Sequence, residues 1–317
     1  MSARGGRDSR PRIEWRDVDG ILLLDKPVGS TSNQALQRAR RLFRARKAGH
    51  TGSLDPLASG MLPLCFGEAT KVSGFLLDSD KTYRARLALG ARTATGDAEG
   101  EAVERAPVPV LDEARVRATL AGFVGPYRQV PPMYSALKRD GRPLYELARA
   151  GHEVAREARD LVLHRLDLLA LAADALDFEV HCSKGTYVRT LGEDLARALG
   201  TVGHLAALRR LAVAPFGDAP LVTFETLEAC ADETVRDRLL LPADAALAGW
   251  PAVELDAQGA ADVRHGRPAD CAPASPGERV RLYAPGRVFI GIGSIDAHGT
   301  RVAPVRLLAA GGGLRGV

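Results

Sequence analysis

Gly49-His50-Thr51-Gly52-Ser53-Leu54-Asp55-Pro56-Leu57-Ala58 places one carboxylate in a glycine-loosened loop directly behind a run of positive charge. From Lys26 to Leu54 the chain carries Lys26, Arg38, Arg40, Arg41, Arg44, Arg46 and Lys47 and no acid. Asp55 ends that run. Pro56 keeps Asp55 out of the helical conformation, Gly52 lets the backbone turn sharply, and nearby guanidinium groups favour an ionised carboxylate. The dipeptide also fits a helix start, with Asp as the cap and Pro at the first helical position.

Upstream, Ile21-Leu22-Leu23-Leu24 is a short apolar run stopped by Asp25-Lys26-Pro27 and Gly29, the pattern of a buried strand that ends in a turn. Ser30, Thr31 or Ser32 can cap a following helix. Its apolar stripe is Ala35, Leu36, Ala39, Leu42 and Phe43, and Arg38, Arg41 and Arg44 lie on another face. That face is either solvated or set against phosphates. Downstream, residues 60–67 read as a buried strand and 68–77 as a helix. Alternation over 81–89 sets Tyr83, Ala85, Leu87 and Leu89 opposite Arg84 and Arg86. Residues 91–101 form a polar loop, and 112–122 a short helix. Residues 125–138, with three prolines, begin an excursion that continues through the amphipathic segment 143–150. Paired strands follow over 161–171 and 176–183, then a helix from 187 to 199 ended by Gly200. Strands and helices do not alternate as regular βαβ units, so the fold class is α+β.

With 317 residues, 46% hydrophobic and 26% charged, the chain can bury a substantial core, and no apolar run approaches the ~20 residues of a membrane-spanning helix. Its net charge is +4. Only six of the 43 basic residues are lysines, and all six precede residue 185. Residues 218–262 hold ten acids against Arg236 and Arg238, whereas from Val263 onward eight arginines face three acids. That change of sign, with short strands over 280–283, 288–294 and 301–307, predicts a small β domain from about residue 250. The first 18 residues read as a disordered basic arm without the apolar core of a secretory signal, and 311–317 as a flexible tail. The chain is therefore expected in the cytoplasm. Cys65, Cys182, Cys230 and Cys271 are too scattered for a zinc site or a disulfide frame.

The decapeptide, flanked by Leu23-Leu-Asp-Lys-Pro27 and Gly67-Glu-Ala-Thr-Lys71, resembles the TruB family of tRNA pseudouridine synthases. The likeness continues in order through Asp80-Lys-Thr-Tyr83, Pro132-Met-Tyr-Ser-Ala-Leu-Lys138, Cys182-Ser-Lys-Gly-Thr-Tyr-Val-Arg-Thr190 and Leu208-Arg-Arg-Leu-Ala-Val213, and so covers roughly residues 20–310. It implies a pseudouridine-synthase fold: a mixed, mainly antiparallel sheet flanked by helices over 19–249, an RNA-gripping insertion at about 128–158, and a PUA-like domain over 250–310. It also implies a reaction, the isomerisation of uridine 55 in the T loop of tRNA without cofactor or metal. Asp55 would be the nucleophile or base, Tyr83 would stack on the flipped uracil, and Arg189 would pair with Asp55. His50 would help displace the base, Lys71 and Asp97 would lie near the active site or the RNA path, and Leu208 would form a pocket wall. The basic helix would then contact phosphate, and no obligate protein partner is implied for an expected monomer. Ser53 stands where alanine is frequent in the family, and Ala94 breaks an acid-rich form of the 93–100 loop.

Two rival readings remain open on the sequence. An RNA-binding or tRNA-folding protein without catalysis would not need Asp55, Tyr83 and Arg189 together. A metal-dependent RNA hydrolase would need a carboxylate or histidine cluster, and no such spacing occurs.

Overall fold

The structure is a computed structural model that describes residues 14–139 and 141–309. The apolar run Ile21–Leu24 forms β1 (Gly20–Lys26). Helix α1 (Ser32–Leu42) starts at Thr31, whose hydroxyl accepts from the Gln34 N–H at 3.1 Å while the Gln34 side chain accepts from the Thr31 N–H at 2.8 Å. This reciprocal cap fixes where the helix begins. After β2 (Ala48–His50) and the Asp55 loop comes β3 (Ala58–Phe66), so Asp55-Pro56 opens a turn into a strand and caps no helix. A 3₁₀ turn over Gly67–Lys71 and α2 (Ser73–Leu77) lead to β4 (Lys81–Leu89) and to the hairpin of β5 (Ala91–Thr93) and β6 (Ala102–Arg105). Helix α3 (Glu113–Ala121), β7 (Gly125–Gln129), the small hairpin β8 (Lys138–Arg139) and β9 (Arg142–Pro143), and α4 (Leu144–Arg149) follow. The chain then returns through β10 (Arg159–Leu171), β11 (Ala175–Cys182), α5 (Val188–Ala198) and β12 (Gly203–Val213).

These strands make one eight-stranded sheet in the order β1-β3-β12-β4-β11-β10-β7, with β2 paired to β3. Every pairing is antiparallel except that of β12 with β3, so the sheet is mixed and mainly antiparallel. Alternation decides which side faces helices: Tyr83, Ala85, Leu87 and Leu89 are buried, whereas Arg84 and Arg86 are exposed. The buried side packs on Ala35, Leu36 and Ala39 of α1, Val116 and Leu120 of α3, and Leu191 and Leu195 of α5.

Two short helices, α6 (Phe224–Ala229) and α7 (Glu233–Asp237), lie beside α1. The remainder is a five-stranded sheet, β13-β15-β16-β17-β14, formed by β13 (Ala252–Glu254), β14 (Ala269–Asp270), β15 (Arg279–Ala284), β16 (Val288–Ile295) and β17 (Arg301–Leu307). Helix α8 (Ala257–Arg264) packs Ala260 and Val263 into its core. This sheet meets the other face of β1 and β3, where Ile21, Leu23 and Cys65 share a cluster with Leu76, Leu247 and Ile292.

Several expectations change. The helix read over 68–77 is broken near Val72, because Thr70 and Ser73 hydroxyls bond back to the carbonyls of Gly67 and Thr70 and compete with the helical ladder. The polar loop at 91–101 begins and ends in the β5–β6 hairpin. Of the arm expected over 1–18, residues 15, 16 and 18 are instead packed on the fold: Val18 is buried, Arg16 pairs with Asp237 at 2.6 Å, and Trp15 lies beneath the Arg40 guanidinium. Residues 1–13 and the tail at 311–317 fall outside the described residues. Among the described residues no helix is long and apolar enough to cross a membrane.

Candidate active site

The Asp55 loop is pinned at several points. Before it, Ser32 at the start of α1 accepts from the Leu54 N–H at 2.7 Å and donates to the Leu54 carbonyl at 3.1 Å. Gly52 adopts a positive φ of 70°, and its carbonyl accepts from Arg210 at 2.9 Å. After it, the Pro56 carbonyl accepts from the Gly29 N–H at 2.8 Å, and Asp55's own carbonyl accepts from Ala58 at 3.0 Å. The sequence makes Asp55 flexible by composition; these bonds hold it still.

Opposite the loop, α5 delivers Arg189 from its first turn. The guanidinium Nε lies 3.0 Å from the Asp55 carboxylate and 3.8 Å from that of Asp97. Its remaining donors go to the carbonyls of Thr95 and Tyr134, each at 2.7 Å. Arg189 therefore joins four chain segments and has little freedom to leave. Asp97 is buried and accepts from the Thr95 hydroxyl at 2.5 Å and the Glu99 N–H at 3.2 Å.

A cavity of about 700 Å³ opens over Asp55, within the size range of small-molecule sites. Its lining brings together His50, Asp55, Tyr83, Arg189 and Leu208 of the sequence-predicted set, with Tyr134 and Tyr187 adding aromatic wall. The Asp55 side chain is 43% exposed and lines this recess. Burial accordingly raises its pKa above the ordinary 3.8, against the opposing pull of Arg189. Burial also raises the phenol of Tyr83, which stays protonated at neutral pH, and lowers the imidazole of His50. His50 Nδ1 is buried without a hydrogen-bond partner.

Two cations behind the loop have no place among the predicted site residues. Lys26 is fully buried, donates to the carbonyls of Pro27 and Ser30, and is lowered to about 8, mainly by burial. Arg210 is 1% exposed and donates to the Met61 carbonyl at 2.6 Å as well as to Gly52. Its signal was present in Leu208-Arg-Arg, since residues 208 and 210 share one face of a strand. Two bulges in β12, at 205/207 and 210/212 of its pairing with β4, blur that alternation.

Asp97 joins the site through Arg189, whereas Lys71 does not reach the cavity. Its ammonium bonds Glu68 at 2.6 Å and the Leu307 carbonyl at 3.0 Å, at the contact with the C-terminal sheet. The basic face of α1 is also largely committed. Arg38 pairs with Glu228 at 2.6 Å and lies 4.0 Å from the Phe224 ring, and Arg44 pairs with Glu233. Glu228 and Glu233 thus neutralise two of the three arginines of this face, where phosphate would have to displace carboxylates, while Arg41 is exposed and pairs with no acid among the described residues. Among the described residues no group of three or more His, Cys, Asp or Glu side chains is arranged to hold a metal.

Three family descriptions match consecutive parts of the chain: "TruB family pseudouridylate synthase (N terminal domain)" over residues 40–188, "tRNA pseudouridylate synthase B C-terminal domain" over 189–248 and "Pseudouridine synthase II TruB, C-terminal" over 251–308. The chain belongs to the TruB family of pseudouridylate synthases. It is 52% identical to the tRNA pseudouridine synthase B of Nitrosococcus oceani over 300 residues, covering 94% of this chain and 97% of that one. Identity to the protein of the same name from Aromatoleum aromaticum is 54%, with 94% and 95% covered. The fold also matches a solved Cbf5-Nop10-Gar1 complex, with a TM-score of 0.70 at 22% identity over 95% of this chain and 91% of the matched chain. TruB membership agrees with the mixed sheet and the separate C-terminal β unit found in the structure.

Proposed function

We propose that this TruB protein isomerises uridine 55 in the T loop of tRNA to pseudouridine, with Asp55 as the reacting carboxylate. The observation that carries this reading is the Asp55–Arg189 pair at the floor of a cavity walled by Tyr83. The reaction breaks the bond from uracil N1 to C1′ and forms one from C5 to C1′; the C5 proton is lost and N1 gains one. The carboxylate either adds to C1′ or removes a sugar proton to open a glycal route, and both need it ionised. Arg189 holds the carboxylate in one orientation and favours its charged form.

A base inside a structured loop must leave its stack to react, at a cost of a few kcal/mol, and an aromatic wall recovers part of that. Tyr83 supplies the stacking surface as a neutral phenol, and His50 stands at the same wall, where it can occupy the space that the flipped base vacates. Leu208 closes the apolar side. The RNA grip falls to the 128–158 insertion, whose exposed Lys138, Arg139 and Arg142 follow directly on Leu137 of the cavity lining. The C-terminal sheet would hold tRNA further from the site as a PUA-like domain.

The protein would act in the cytosol as a monomer. Self-pairing is disfavoured at the free sheet edge, because β7 is only five residues long and carries Pro126. Chemical mapping of pseudouridine in unmodified tRNA tests the assignment. The wild type should modify position 55 and Asp55→Asn should not, with tRNA affinity within a few fold. Modification elsewhere with the T loop untouched would overturn the substrate, and full turnover by Asp55→Asn would overturn the residue. Full activity in excess EDTA is expected of a metal-free reaction.

A further inference from the structure

We infer that Gln129 is a positioning residue for Arg189, and that it ties the root of the insertion to the reacting carboxylate. Gln129 is the last residue of β7, the strand from which the insertion departs, and is 2% exposed. Its side-chain amide pairs with both backbone groups of Tyr187: Oε1 accepts from the Tyr187 N–H at 2.8 Å, and Nε2 donates to the Tyr187 carbonyl at 3.0 Å. Tyr187 is the capping position of α5, and no side chain of its own caps that helix. Arg189 lies two residues further on.

The start of α5 is thus held by a side chain from another element, through an amide-to-amide clamp with two fixed bonds. A buried helix start has backbone groups that need partners, and leaving such a group unpaired costs about 1–3 kcal/mol. A second strut runs in parallel: the Tyr127 hydroxyl, also on β7, donates to Asp194 of α5 at 2.5 Å and accepts from Gln129 Nε2 at 3.2 Å. Within the insertion, the Tyr134 carbonyl accepts from Arg189 at 2.7 Å. Both ends of the chain segment from Gln129 to Tyr134 therefore touch the first turn of α5. A load on the insertion, such as seating an RNA stem, reaches the guanidinium through bonds and not through loose packing.

Consequently Gln129 touches neither the substrate nor the reacting atoms. It sets where Arg189 Nε stands relative to Asp55, and a displacement of a few tenths of an ångström there weakens the ion pair that orients the carboxylate. The inference rests on the proposed roles of Asp55 and Arg189.

Gln129→Met keeps the volume and removes the clamp. Single-turnover rates at saturating enzyme, tRNA affinity and thermal midpoint are measured together, with Asp55→Asn alongside. The expected result is a rate constant at least ~10-fold lower with tRNA affinity within twofold, and a penalty under about threefold when Gln129→Met is added to Arg189→Lys, since the clamp acts through that guanidinium. A folded Gln129→Met protein with a rate constant within twofold of wild type overturns the inference, as does a full penalty in the Arg189→Lys background. If Gln129→Met does not fold, Gln129→Glu serves: it keeps an acceptor for the Tyr187 N–H, loses the donor, and must show the same rate loss at unchanged affinity. An active Asp55→Asn would instead overturn the reading of the site, so the two failures are distinct.

Discussion

At the scale of single residues, Asp55 is caught between two opposing effects, and burial exceeds Arg189 in setting its pKa above 3.8. The sign follows directly: in the proposed reaction Asp55 works as a carboxylate, so the rate is expected to fall as pH drops through that raised pKa. Arg189 is the principal group pulling it down. Arg189→Met should therefore move the acid limb of the single-turnover rate to higher pH and lower the plateau by at least ~100-fold. A plateau that falls while the limb stays in place would mean that Arg189 acts without touching the charge state of Asp55. Asp97 should matter less directly, because it meets Arg189 at 3.8 Å and is itself held by Thr95. Asp97→Asn keeps the shape and removes one charge that opposes ionisation of Asp55. The acid limb is expected to shift slightly to lower pH, and a shift upward in the same profile would contradict this.

At the scale of elements, legibility depended on how local the determinant was. The strand alternation of Tyr83 to Leu89 and the cap at Thr31 are written within a few residues, and the structure follows them. The Asp55–Arg189 contact joins residues far apart in the chain, so composition and spacing alone pointed only to a suspicious acid; the ordered motifs were needed to pair it. What the sequence hid was the partner of each charge. The basic face of α1 looked like a phosphate surface because its neutralising acids, Glu228 and Glu233, lie nearly 200 residues downstream. Gln129 was equally hidden, since one glutamine in a proline-rich stretch carries no signal until its partner at Tyr187 is known. This contrast predicts different consequences for two sets of cations. Replacing Arg38 and Arg44 by alanine should change tRNA affinity by less than threefold and lower stability only slightly, because the broken ion pairs are exposed to solvent. Replacing Lys138, Arg139 and Arg142 should weaken tRNA binding at least ~10-fold and flatten its salt dependence by about one unit of slope for each phosphate that is no longer neutralised. Titrations at several salt concentrations distinguish them, and the opposite ranking would return the phosphate surface to α1.

At the scale of the whole molecule, the catalytic sheet and the C-terminal sheet are joined by a polar latch laid beside an apolar seam. Phe75 and Trp250 meet edge to face at 4.8 Å, and the Tyr283 hydroxyl donates to Asp244 at 2.6 Å. Beside them, Glu68 accepts from Lys71 at 2.6 Å and from the Ala309 N–H at 2.5 Å, while Lys71 also donates to the Leu307 carbonyl. The Gly67–Lys71 motif thus grips the end of β17, which explains a conspicuous lysine that takes no part in the cavity. Lys71→Ala should leave Leu307 without its donor and Glu68 without its counter-ion. A partly exposed latch of this kind contributes about 1–2 kcal/mol locally, less than the apolar seam it accompanies. Hydrogen exchange should therefore speed up over residues 302–309, while β4 and α5 keep their protection. Single-turnover modification of a short RNA stem-loop carrying the target uridine should stay within twofold of wild type, because Asp55, Tyr83 and Arg189 are untouched. Any loss should appear only with full-length tRNA, whose outer parts would reach the C-terminal sheet in the proposed binding mode. A comparable loss on both RNAs would place Lys71 in the chemistry of the site, against the geometry.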